Sequence, residues 1–477
     1  MKKLILILTA AVFAVSCSDN LEDLNQNIKD PTQVSGESLF ASAQKQLADQ
    51  ITTPNVNLNN TRLWVQHWQE TTYPDESNYD QATRPIPDNH WRELYRDVLR
   101  DLKEASINIA ATDNDITNPL KPNKLAIIEV MNVYAWSNLV ETYGNVPYTE
   151  ALDIENLLPK YDDGMTIYKD LIVRLTAAVN SMDTSKGSFS GDEEKIYSGD
   201  VASWKKFANT LKLRMGIILA DADAAAAKAA VESAVSSGVF TSNADDAGYA
   251  YSSGPNGSPL YDNLVASNRN DYVAGKTIID LMNTLEDPRR GSFFTDVNGE
   301  YIGGVIGDQT VYSEYSHVTP NILGESYPGW LLQYAETEFL LAEAAAREFN
   351  VGGSAESHYV AGITASFDFW GADGLAGYLT NPAVVYNSGA WRESIGTQAW
   401  LANYNRTFAS WLSVRRLDFP VLVEPIGAES GYPVRYPYPV SEINLNPSNY
   451  EEAASAIGGD VTETRLFWDK FDNTWGF

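Results

Sequence analysis

Two stretches of the sequence combine tyrosine with serine, glycine and asparagine, a mixture that is typical of binding loops. They are residues 247–272 (AGYAYSSGPNGSPLYDNLVASNRNDY) and 309–330 (QTVYSEYSHVTPNILGESYPGW). Tyrosine rings give rigid contact area, and sugars suit them because C–H faces stack on rings while hydroxyls bond to amides and carboxylates. The alternative is that the rings only pack these stretches onto the protein. The candidate ligand residues are Tyr251, Tyr261, Asn263, Tyr312, Tyr315 and Trp330.

A third candidate region lies earlier, in residues 63–81 (LWVQHWQETTYPDESNYDQ). Trp64 and Trp68 are four residues apart, which predicts one shared helix face and favours burial. The chain should leave the helix beyond Pro74 and present the next polar and aromatic side chains to a ligand. The candidates that follow from this are Asp75, Asn78 and Tyr79, and the segment YLTNPAVVYNSGAW adds Tyr386 and Trp391.

Motifs of the common catalytic centres are missing from the sequence. It contains no G-x-S-x-G, no H-E-x-x-H, no Walker loop and no G-x-G-x-x-G after a strand. His67 lies three residues before Glu70, a spacing that would pair two metal ligands on a helix, but a half-buried structural histidine is the favoured interpretation. We therefore predict that the protein is not an enzyme and has no catalytic residue, metal ligand or cofactor.

Acidic pairs leave two alternatives open. A glycosidase needs two carboxyl groups that can come from anywhere in a fold, so a surface glycosidase is not excluded by sequence. The pairs Asp75–Glu76 and Asp245–Asp246 are more typical of solvated loops. At Asp245 or Asp246 a structural calcium ion is the further option.

The single cysteine, Cys17, follows a segment with the features of a secretory signal. Two lysines precede an apolar run over residues 4–15, and the small Ser16 stands before the cysteine. A lone thiol at this place has no evident use, whereas AVSC is similar to the lipobox of bacterial lipoproteins. We interpret residues 1–16 as a signal peptide, Cys17 as the lipidation site and residues 17–36 as a lipidated tether, since several acyl chains give stable anchoring.

Composition indicates a folded protein with an acidic surface. The chain has 477 residues, a formal net charge of −29 and a sequence pI of about 4.4. Nucleic acid is excluded as a partner because a phosphate backbone needs a basic surface. No Ser- or Pro-rich linker divides the chain, so we predict a single domain over residues 37–477.

Helical periodicity dominates the rest of the chain. Seven stretches show apolar residues at helix spacing, and Gly144 and Gly238 close two of them. Two of the later stretches, joined by a Gly-Gly turn, have about the length of one tetratricopeptide unit. Residues 241–330 interrupt the pattern. We predict a mainly α fold of stacked helix pairs with one long irregular loop insertion.

Several segments together resemble the SusD/RagB family of nutrient-binding lipoproteins, in its SusD-like branch. SWKKFANTLKLRMGIILAD is similar to the family's W-x-x-F-A-N-T-L-K-L-R helix, LMNTLEDPRRGSFF to its D-P-R turn, and YAETEFLLAEAAAREF to its E-x-x-F-L-L-A-E-A helix. ASWLSVRRLDFPVL and RYPYPVSEINLNPSNYEEA resemble its two closing segments, and DLNQNIKDPTQV its N-terminal one. In this order the motifs cover nearly the whole mature chain.

The resemblance implies a tetratricopeptide-like α scaffold (the SusD-like fold) that carries a ligand face built from loops. It implies a cell-surface lipoprotein of the bacterial outer membrane, which binds glycan fragments and passes them to a SusC-like TonB-dependent transporter. A peptide-binding member of the same family and a helical scaffold for protein partners remain alternatives. The recurrent charged residues are expected to support the scaffold and not the ligand: Arg214, Glu336, Arg415, Arg416 and Glu442.

Overall fold

The structure is a computed structural model and describes residues 34–112 and 118–471. The contacts within the chain divide it into two units, Met1–Ser35 and Gly36–Phe477. The first unit falls almost entirely outside the described residues, and so do the signal peptide, Cys17 and nearly all of the tether predicted above. All elements named below belong to the second unit.

Helices make up most of the second unit. Their bounds are α1 Gly36–Thr52, α2 Thr61–Trp64, α3 Ile86–Arg92, α4 Arg100–Ala111, α5 Lys121–Tyr143, α6 Gly164–Ser181, α7 Val201–Ile218, α8 Ala224–Ser237, α9 Pro259–Tyr261, α10 Lys276–Thr284, α11 Arg290–Phe293, α12 Tyr334–Ala346, α13 Ala355–Trp370, α14 Leu375–Leu379, α15 Trp391–Ala402, α16 Thr407–Leu417, α17 Val440–Leu445 and α18 Pro447–Ala456. A π-helical turn, Glu93–Leu99, joins α3 to α4, and a second, Asp262–Ala266, extends α9. Not one of the described helices is long and apolar enough to cross a membrane.

The ends of the long helices follow from local sequence. Asp163, Asp200 and Asp223 each accept a hydrogen bond from a backbone N–H in the first turn of α6, α7 and α8. Such caps satisfy donors that have no partner inside the helix. Gly144 and Gly238 follow α5 and α8 with φ angles of 88° and 95°, which side chains of L-residues rarely adopt. The boundaries predicted at these two glycines agree with the structure.

The longer helices pack against each other in pairs, and in all but the first pair the two helices are consecutive. The pairs are α1 with α4, α5 with α6, α7 with α8, α12 with α13, and α15 with α16. Helix α7 also packs on α12, where Leu213, Ile217 and Leu340 share an apolar cluster with Val231 of α8. Helices α7, α8 and α12 therefore share one buried apolar cluster.

Strands are short and join distant parts of the chain. The strands are β1 Trp68–Glu70, β2 Val146–Pro147, β3 Tyr161–Asp162, β4 Ala247–Tyr249, β5 Tyr272–Ala274 and β6 Gly329–Leu332. They pair antiparallel as β1–β5, β2–β3 and β4–β6. The predicted irregular segment at 241–330 supplies β4, β5 and the start of β6, so the β4–β6 ladder closes the segment on itself and the β1–β5 ladder ties it to the earlier part of the chain.

The helix predicted through Trp64 and Trp68 ends earlier than the spacing suggested. Helix α2 stops at Trp64, and Gln66 adopts a left-handed backbone with φ of 56° before β1 begins. Both tryptophans are buried, as predicted, but Trp68 is in a strand. His67 therefore does not share a helix face with Glu70; its ring packs between Trp400 and Tyr404.

Charged side chains are buried within the scaffold, where they pair with each other. Glu336 lies 2.5 Å from Arg406 and 3.9 Å from Arg214. Arg416 pairs with Glu343 of α12. Arg415 and Glu442, the other two charged residues expected to support the scaffold, bond to uncharged groups. Arg415 donates to the carbonyl oxygens of Glu141 and Val434, and Glu442 accepts from the Tyr161 hydroxyl at 2.7 Å.

Two histidines give the stability opposite responses to pH. Burial lowers the pKa of His67 from 6.5 to about 3. Between these two pH values His67 is protonated in the unfolded chain and neutral in the folded protein. The contribution of His67 to stability is therefore lost as the pH falls from 6.5 towards 3, by roughly 2–3 kcal/mol at pH 4.5, and His90, whose pKa burial also lowers to about 3, adds a similar loss. We expect His67→Phe to flatten this loss in unfolding measured by denaturant at pH 7.5, 6 and 4.5.

The matched variant is His358→Gln, because a hydrogen bond to Glu338 raises the pKa of His358. That contribution is present at acid pH and is lost as the pH rises through the folded-state pKa. His358→Gln should therefore lower the free energy of unfolding at pH 5 and change it little at pH 8. If the free energy of unfolding of His67→Phe fell with pH as steeply as that of the wild type, His67 would not be a source of the acid sensitivity.

Candidate functional site

Three loops meet at one end of the β1–β5 ladder. They are residues 71–76 after β1, residues 267–271 before β5, and residues 308–315. The Thr71 N–H donates to the carbonyl oxygen of Asp271 at 2.9 Å, and its hydroxyl donates to that of Asn270 at 2.6 Å. The Thr310 N–H donates to the carbonyl oxygen of Thr71 at 3.1 Å. We call the surface formed by these three loops the tyrosine face.

Tyr73 is the most exposed aromatic side chain of the tyrosine face, with 68% of its surface accessible to solvent. Its backbone is left-handed, with φ of 57°, and Pro74 follows it. A tyrosine in this conformation costs about 1 kcal/mol or more, and such residues are frequent in binding sites. The loop thus holds an aromatic ring in water at the expense of its own stability. Sequence analysis passed over this residue.

Tyr312 and Tyr315 supply two further rings, both half-exposed. The Tyr312 ring stacks on the His317 imidazole with centroids 3.7 Å apart and planes 7° from parallel. The imidazole Nε2 also lies 2.6 Å from the Tyr312 carbonyl oxygen, which fixes the ring beneath the tyrosine. A ring that is held flat from behind offers its other face to a ligand without loss of side-chain freedom on binding.

Polar groups stand beside these rings. Asn270 and Asp308 are exposed, and Asp75 is half-exposed. Arg269 pairs with Asp271 at 2.8 Å on the surface. Amide and carboxylate oxygens accept hydrogen bonds from hydroxyl groups, and the Asn270 amide also donates them. The face therefore combines stacking surfaces with the hydrogen-bonding groups that a polyhydroxylated ligand needs.

A buried carboxyl group shapes the first loop. Glu70 is 4% exposed and accepts hydrogen bonds from the Ser77 N–H at 3.0 Å and the Ser77 hydroxyl at 2.9 Å. Burial, with the neighbouring Glu76 carboxylate, raises the pKa of Glu70 well above its ordinary value. Glu76 pairs with Arg84. Both acids are engaged in holding the loop, so they do not form an accessible catalytic pair.

Asn78 ties the first loop to two other parts of the chain. Its amide Nδ2 donates to the carbonyl oxygens of Pro74 at 2.9 Å and Gly307 at 3.0 Å. Its Oδ1 accepts from the Gly427 N–H at 3.0 Å, and its carbonyl oxygen accepts from the Glu429 N–H. Asn78 is thus a structural residue beneath the tyrosine face. The expectation that it contacts a ligand is wrong, because all these bonds direct its amide into the protein.

Two other predicted ligand residues are also buried. Tyr79 is 1% exposed, and its hydroxyl accepts a hydrogen bond from Gln66 Nε2. Tyr251 is 5% exposed and donates to Asp49 Oδ1 at 2.8 Å. For both residues the structure supports the alternative in which the ring only packs, and the prediction of ligand contact is wrong. Asp75 remains partly exposed at the edge of the face.

The remaining candidates occupy different surroundings. Tyr261 and Asn263 lie in the short helix that leads into loop 267–271, and the Asn263 amide donates to the Pro259 carbonyl oxygen. Trp330 is half-buried over Gly248 and packs edge-on against Phe369. Trp391 lies between the guanidinium groups of Arg347 and Arg392, and Tyr386 packs on Tyr359. Tyr312 and Tyr315 are the predicted aromatics that the three loops bring together.

The acidic pair considered for calcium has protein partners. Asp245 pairs with Lys206 at 2.7 Å, and Asp246 accepts a hydrogen bond from the Tyr334 N–H at 2.6 Å. Burial raises the pKa of Asp246 to about 7. Within residues 34–112 and 118–471, no three His, Cys, Asp or Glu side chains are grouped so as to hold a metal ion.

A glycine substitution tests how tightly Asn78 holds the face. Gly307 has φ of 83°, and a Cβ atom there would stand 2.2 Å from Asn78 Oδ1. We expect Gly307→Ala to lower the free energy of unfolding by about 2–4 kcal/mol, since left-handed strain adds to the loss of Asn78 bonds. Gly299→Ala is the matched control, with φ of 89° and nothing within 4 Å, and should cost only about 1–2 kcal/mol in denaturant unfolding. Equal losses in the two variants would contradict the role given to Asn78.

The structure is a scaffold of paired helices that carries aromatic loops at one end of a short ladder. A family model described as "Starch-binding associating with outer membrane" matches residues 28–439. A solved structure described as a chitin-binding protein is 26% identical, covers 92% of this chain and 100% of its own, and has a TM-score of 0.79. A SusD homologue from Bacteroides uniformis is 25% identical, covers 91% of this chain and 99% of its own, and also has a TM-score of 0.79.

The chain belongs to the SusD-like family, because the family model spans most of its length. The predicted fold class, a mainly α scaffold of tetratricopeptide-like helix pairs, is confirmed. A chitin-binding SusD homologue from Flavobacterium johnsoniae, at 22% identity, covers 91% of this chain and 99% of its own; its TM-score of 0.78 shows the shared fold. No curated protein matches the chain. The family's description refers to association with the outer membrane.

Proposed function

We propose that this protein binds glycan fragments at the tyrosine face. The observation that carries the proposal is Tyr73, an exposed ring on a left-handed backbone, in a loop that a Thr310–Thr71 hydrogen bond joins to the loop of Tyr312 and Tyr315. The family's description as starch-binding and the chitin-binding name of a similar structure support a carbohydrate as the ligand. Stacking rings beside amides and carboxylates match the two kinds of surface that a sugar presents.

Binding on this face would proceed without turnover. An exposed platform that complements the ground state of a sugar lowers no barrier, because catalysis needs stronger contacts in the transition state. A glycosidase would need two accessible carboxyl groups about 5–10 Å apart. Near the tyrosine face, the buried pair Glu70 and Glu76 is committed to Ser77 and Arg84. Capture of the ligand is therefore the function we propose.

Lipidation at Cys17 would hold the protein on the outer membrane, exposed at the cell surface. Several acyl chains give stable anchoring, and a tether over residues 17–36 would keep the tyrosine face near its partner. We propose that the partner is a SusC-like TonB-dependent transporter that receives the glycan. The likeness to the SusD-like family and the outer-membrane association in its description support this route.

Calorimetric titration of a soluble form, cut just after Cys17, tests the proposal. The panel consists of oligosaccharides from starch and chitin, other polysaccharide fragments, and peptides of mixed composition. We expect saturable heat with a glycan and no new reducing ends after prolonged incubation. Heat with peptides alone would show that the protein binds peptides instead of glycans. Release of shorter sugars would show that it is a glycosidase.

A further inference from the structure

Three arginine side chains surround one small cavity in the interior of the protein. They are Arg214 of α7, Arg406 just before α16, and Arg415 within α16, and none is more than 5% exposed. Among the described residues that line the cavity, the one carboxyl group is that of Glu141 in α5. The cavity measures about 20 Å³, which is room for one water molecule or one monatomic ion. We call it the arginine cavity.

The partners of the three guanidinium groups neutralise only part of their charge. Arg406 donates to the Leu331 carbonyl oxygen at 2.9 Å and to Glu336 Oε2 at 2.5 Å. Arg214 lies 3.9 Å from the same Glu336 carboxylate. Arg415 donates to two backbone carbonyl oxygens, both at 2.8 Å. One carboxylate is thus shared by two guanidinium groups, and the third guanidinium bonds to uncharged oxygens.

Two N–H donors of these arginines have no acceptor among the described residues. They are the Nε–H groups of Arg214 and Arg406, and both nitrogen atoms are buried. A buried donor without an acceptor is costly, and more so when it is charged, so such groups usually bond to a water molecule or an ion. Both side chains line the arginine cavity. We therefore expect a hydrogen-bond acceptor inside it.

The balance of charge decides between a water molecule and an anion. Three positive charges stand against the shared carboxylate and Glu141, and burial raises the pKa of Glu141, which favours its neutral form. Burial also raises to about 7 the pKa values of Asp246 and Asp469, further acids that interact electrostatically with Arg406 and Arg415. Positive charge is therefore in excess around the cavity. A water molecule leaves that excess in place, whereas an anion neutralises it.

We propose that the arginine cavity is a binding site for one monatomic anion, and that chloride is its occupant. The ion accepts hydrogen bonds from the Nε–H groups of Arg214 and Arg406 and balances their charge. Residues of α5, α7, β6 and α16 line the cavity, so the ion joins three helices to the β4–β6 ladder. The arginine cavity shares no residue with the tyrosine face, and the inference does not depend on the proposed function.

Urea unfolding of the full-length protein in a non-ionic detergent, at pH 7 and constant ionic strength, tests the proposal. Sodium chloride replaces sodium methanesulfonate, whose anion has the same charge but is too large for a cavity of about 20 Å³. A ligand that binds only the folded state raises the folding equilibrium constant in proportion to its concentration above the dissociation constant. We expect a rise of at least about tenfold between about 2 and about 200 mM chloride. Equal folding equilibrium constants in the two salts would overturn the inference.

Two buried arginines provide the variant and its matched control. Arg214→Gln removes one guanidinium group from the lining, so chloride should change the folding equilibrium constant less than about twofold over the same range. The control is Arg62→Gln, because Arg62 is 1% exposed, bonds to the carbonyl oxygens of Thr52 and Thr53, and lies outside the cavity lining. Both variants should be destabilised, but Arg62→Gln should keep the full response to chloride. A full response in Arg214→Gln would contradict the site.

Crystals of the wild type grown in sodium bromide locate the ion even where Arg214→Gln does not fold. Bromide takes the place of chloride and scatters X-rays anomalously at its absorption edge. We expect one anomalous peak in the arginine cavity, roughly 3–3.5 Å from Arg214 Nε and Arg406 Nε. Density at this place without an anomalous signal would identify a water molecule and overturn the inference. Bromide peaks confined to the surface of the protein would do the same.

Discussion

Replacement of Tyr73 with alanine is expected to lower glycan affinity about tenfold to thirtyfold while leaving the fold intact. A central aromatic contact is worth about 1.5–2 kcal/mol or more in an interface, which corresponds to this range. The ring is 68% exposed, so its removal takes little packing from the folded protein. Calorimetric titration with the glycan found for the wild type measures the effect.

Two controls make the Tyr73 result specific. Tyr73→Phe keeps the stacking surface and loses only the hydroxyl, so its affinity should stay within about threefold of the wild type. Leu157→Ala removes a side chain that is even more exposed but lies outside the tyrosine face. An undiminished affinity in Tyr73→Ala would show that the ligand binds elsewhere.

Replacement of Asp287 with alanine is expected to destabilise the protein by about 3–5 kcal/mol, because it leaves a buried guanidinium without its counter-charge. Asp287 and Arg289 are both completely buried. The Arg289 Nε and Nη2 donate to the two oxygens of Asp287 at 3.0 and 2.6 Å, and Nη1 donates to Ser366 Oγ at 2.9 Å. Nη2 also donates to Gln398 Oε1 at 3.1 Å. Denaturant unfolding at pH 7 measures the loss.

The matched control is Asp280→Ala in α10. Asp280 pairs with Lys276 at 2.7 Å, a similar distance, but more than half of the Asp280 side chain and half of the Lys276 side chain are exposed. Exposed pairs contribute about 0–1 kcal/mol, so this variant should unfold close to the wild type. If Asp287→Ala and Asp280→Ala lower the free energy of unfolding equally, burial does not determine how much the Asp287–Arg289 pair stabilises the protein. The D-P-R motif is then not explained by its ion pair.

The parts of the fold that depend on neighbouring residues could be predicted from sequence. Helices α6, α7 and α8 begin after Asp163, Asp200 and Asp223, whose capping bonds span three residues. Gly238 ends α8, and Gly144 ends α5 in the same way. The break after α2 had no such signal, because it depends on a left-handed Gln66, a residue type that carries no preference for that backbone.

The candidate site was harder to predict because its supports are distant in sequence. Asn78 bonds to Gly307 and Gly427, which are 229 and 349 residues further along the chain. Nothing local distinguishes this buried asparagine from an exposed one. Tyr73, Asp75, Tyr312 and Tyr315 all lie in the stretches that the sequence singles out. Which side chains of those stretches point outward depends on the fold.

The bonds that tie the three loops of the tyrosine face together determine which of its residues can be exchanged without loss of the loop structure. The N–H of Thr71 and the N–H of Thr310 donate hydrogen bonds to the backbone carbonyl oxygens of Asp271 and Thr71. The Asn78 side-chain amide also bonds to backbone groups only. Backbone bonds of this kind survive when the exposed residues beside them are exchanged. Under the proposed function, residues 73, 312 and 315 can therefore be exchanged to suit a different ligand while the fold stays the same, and a library randomised at these three positions would test this.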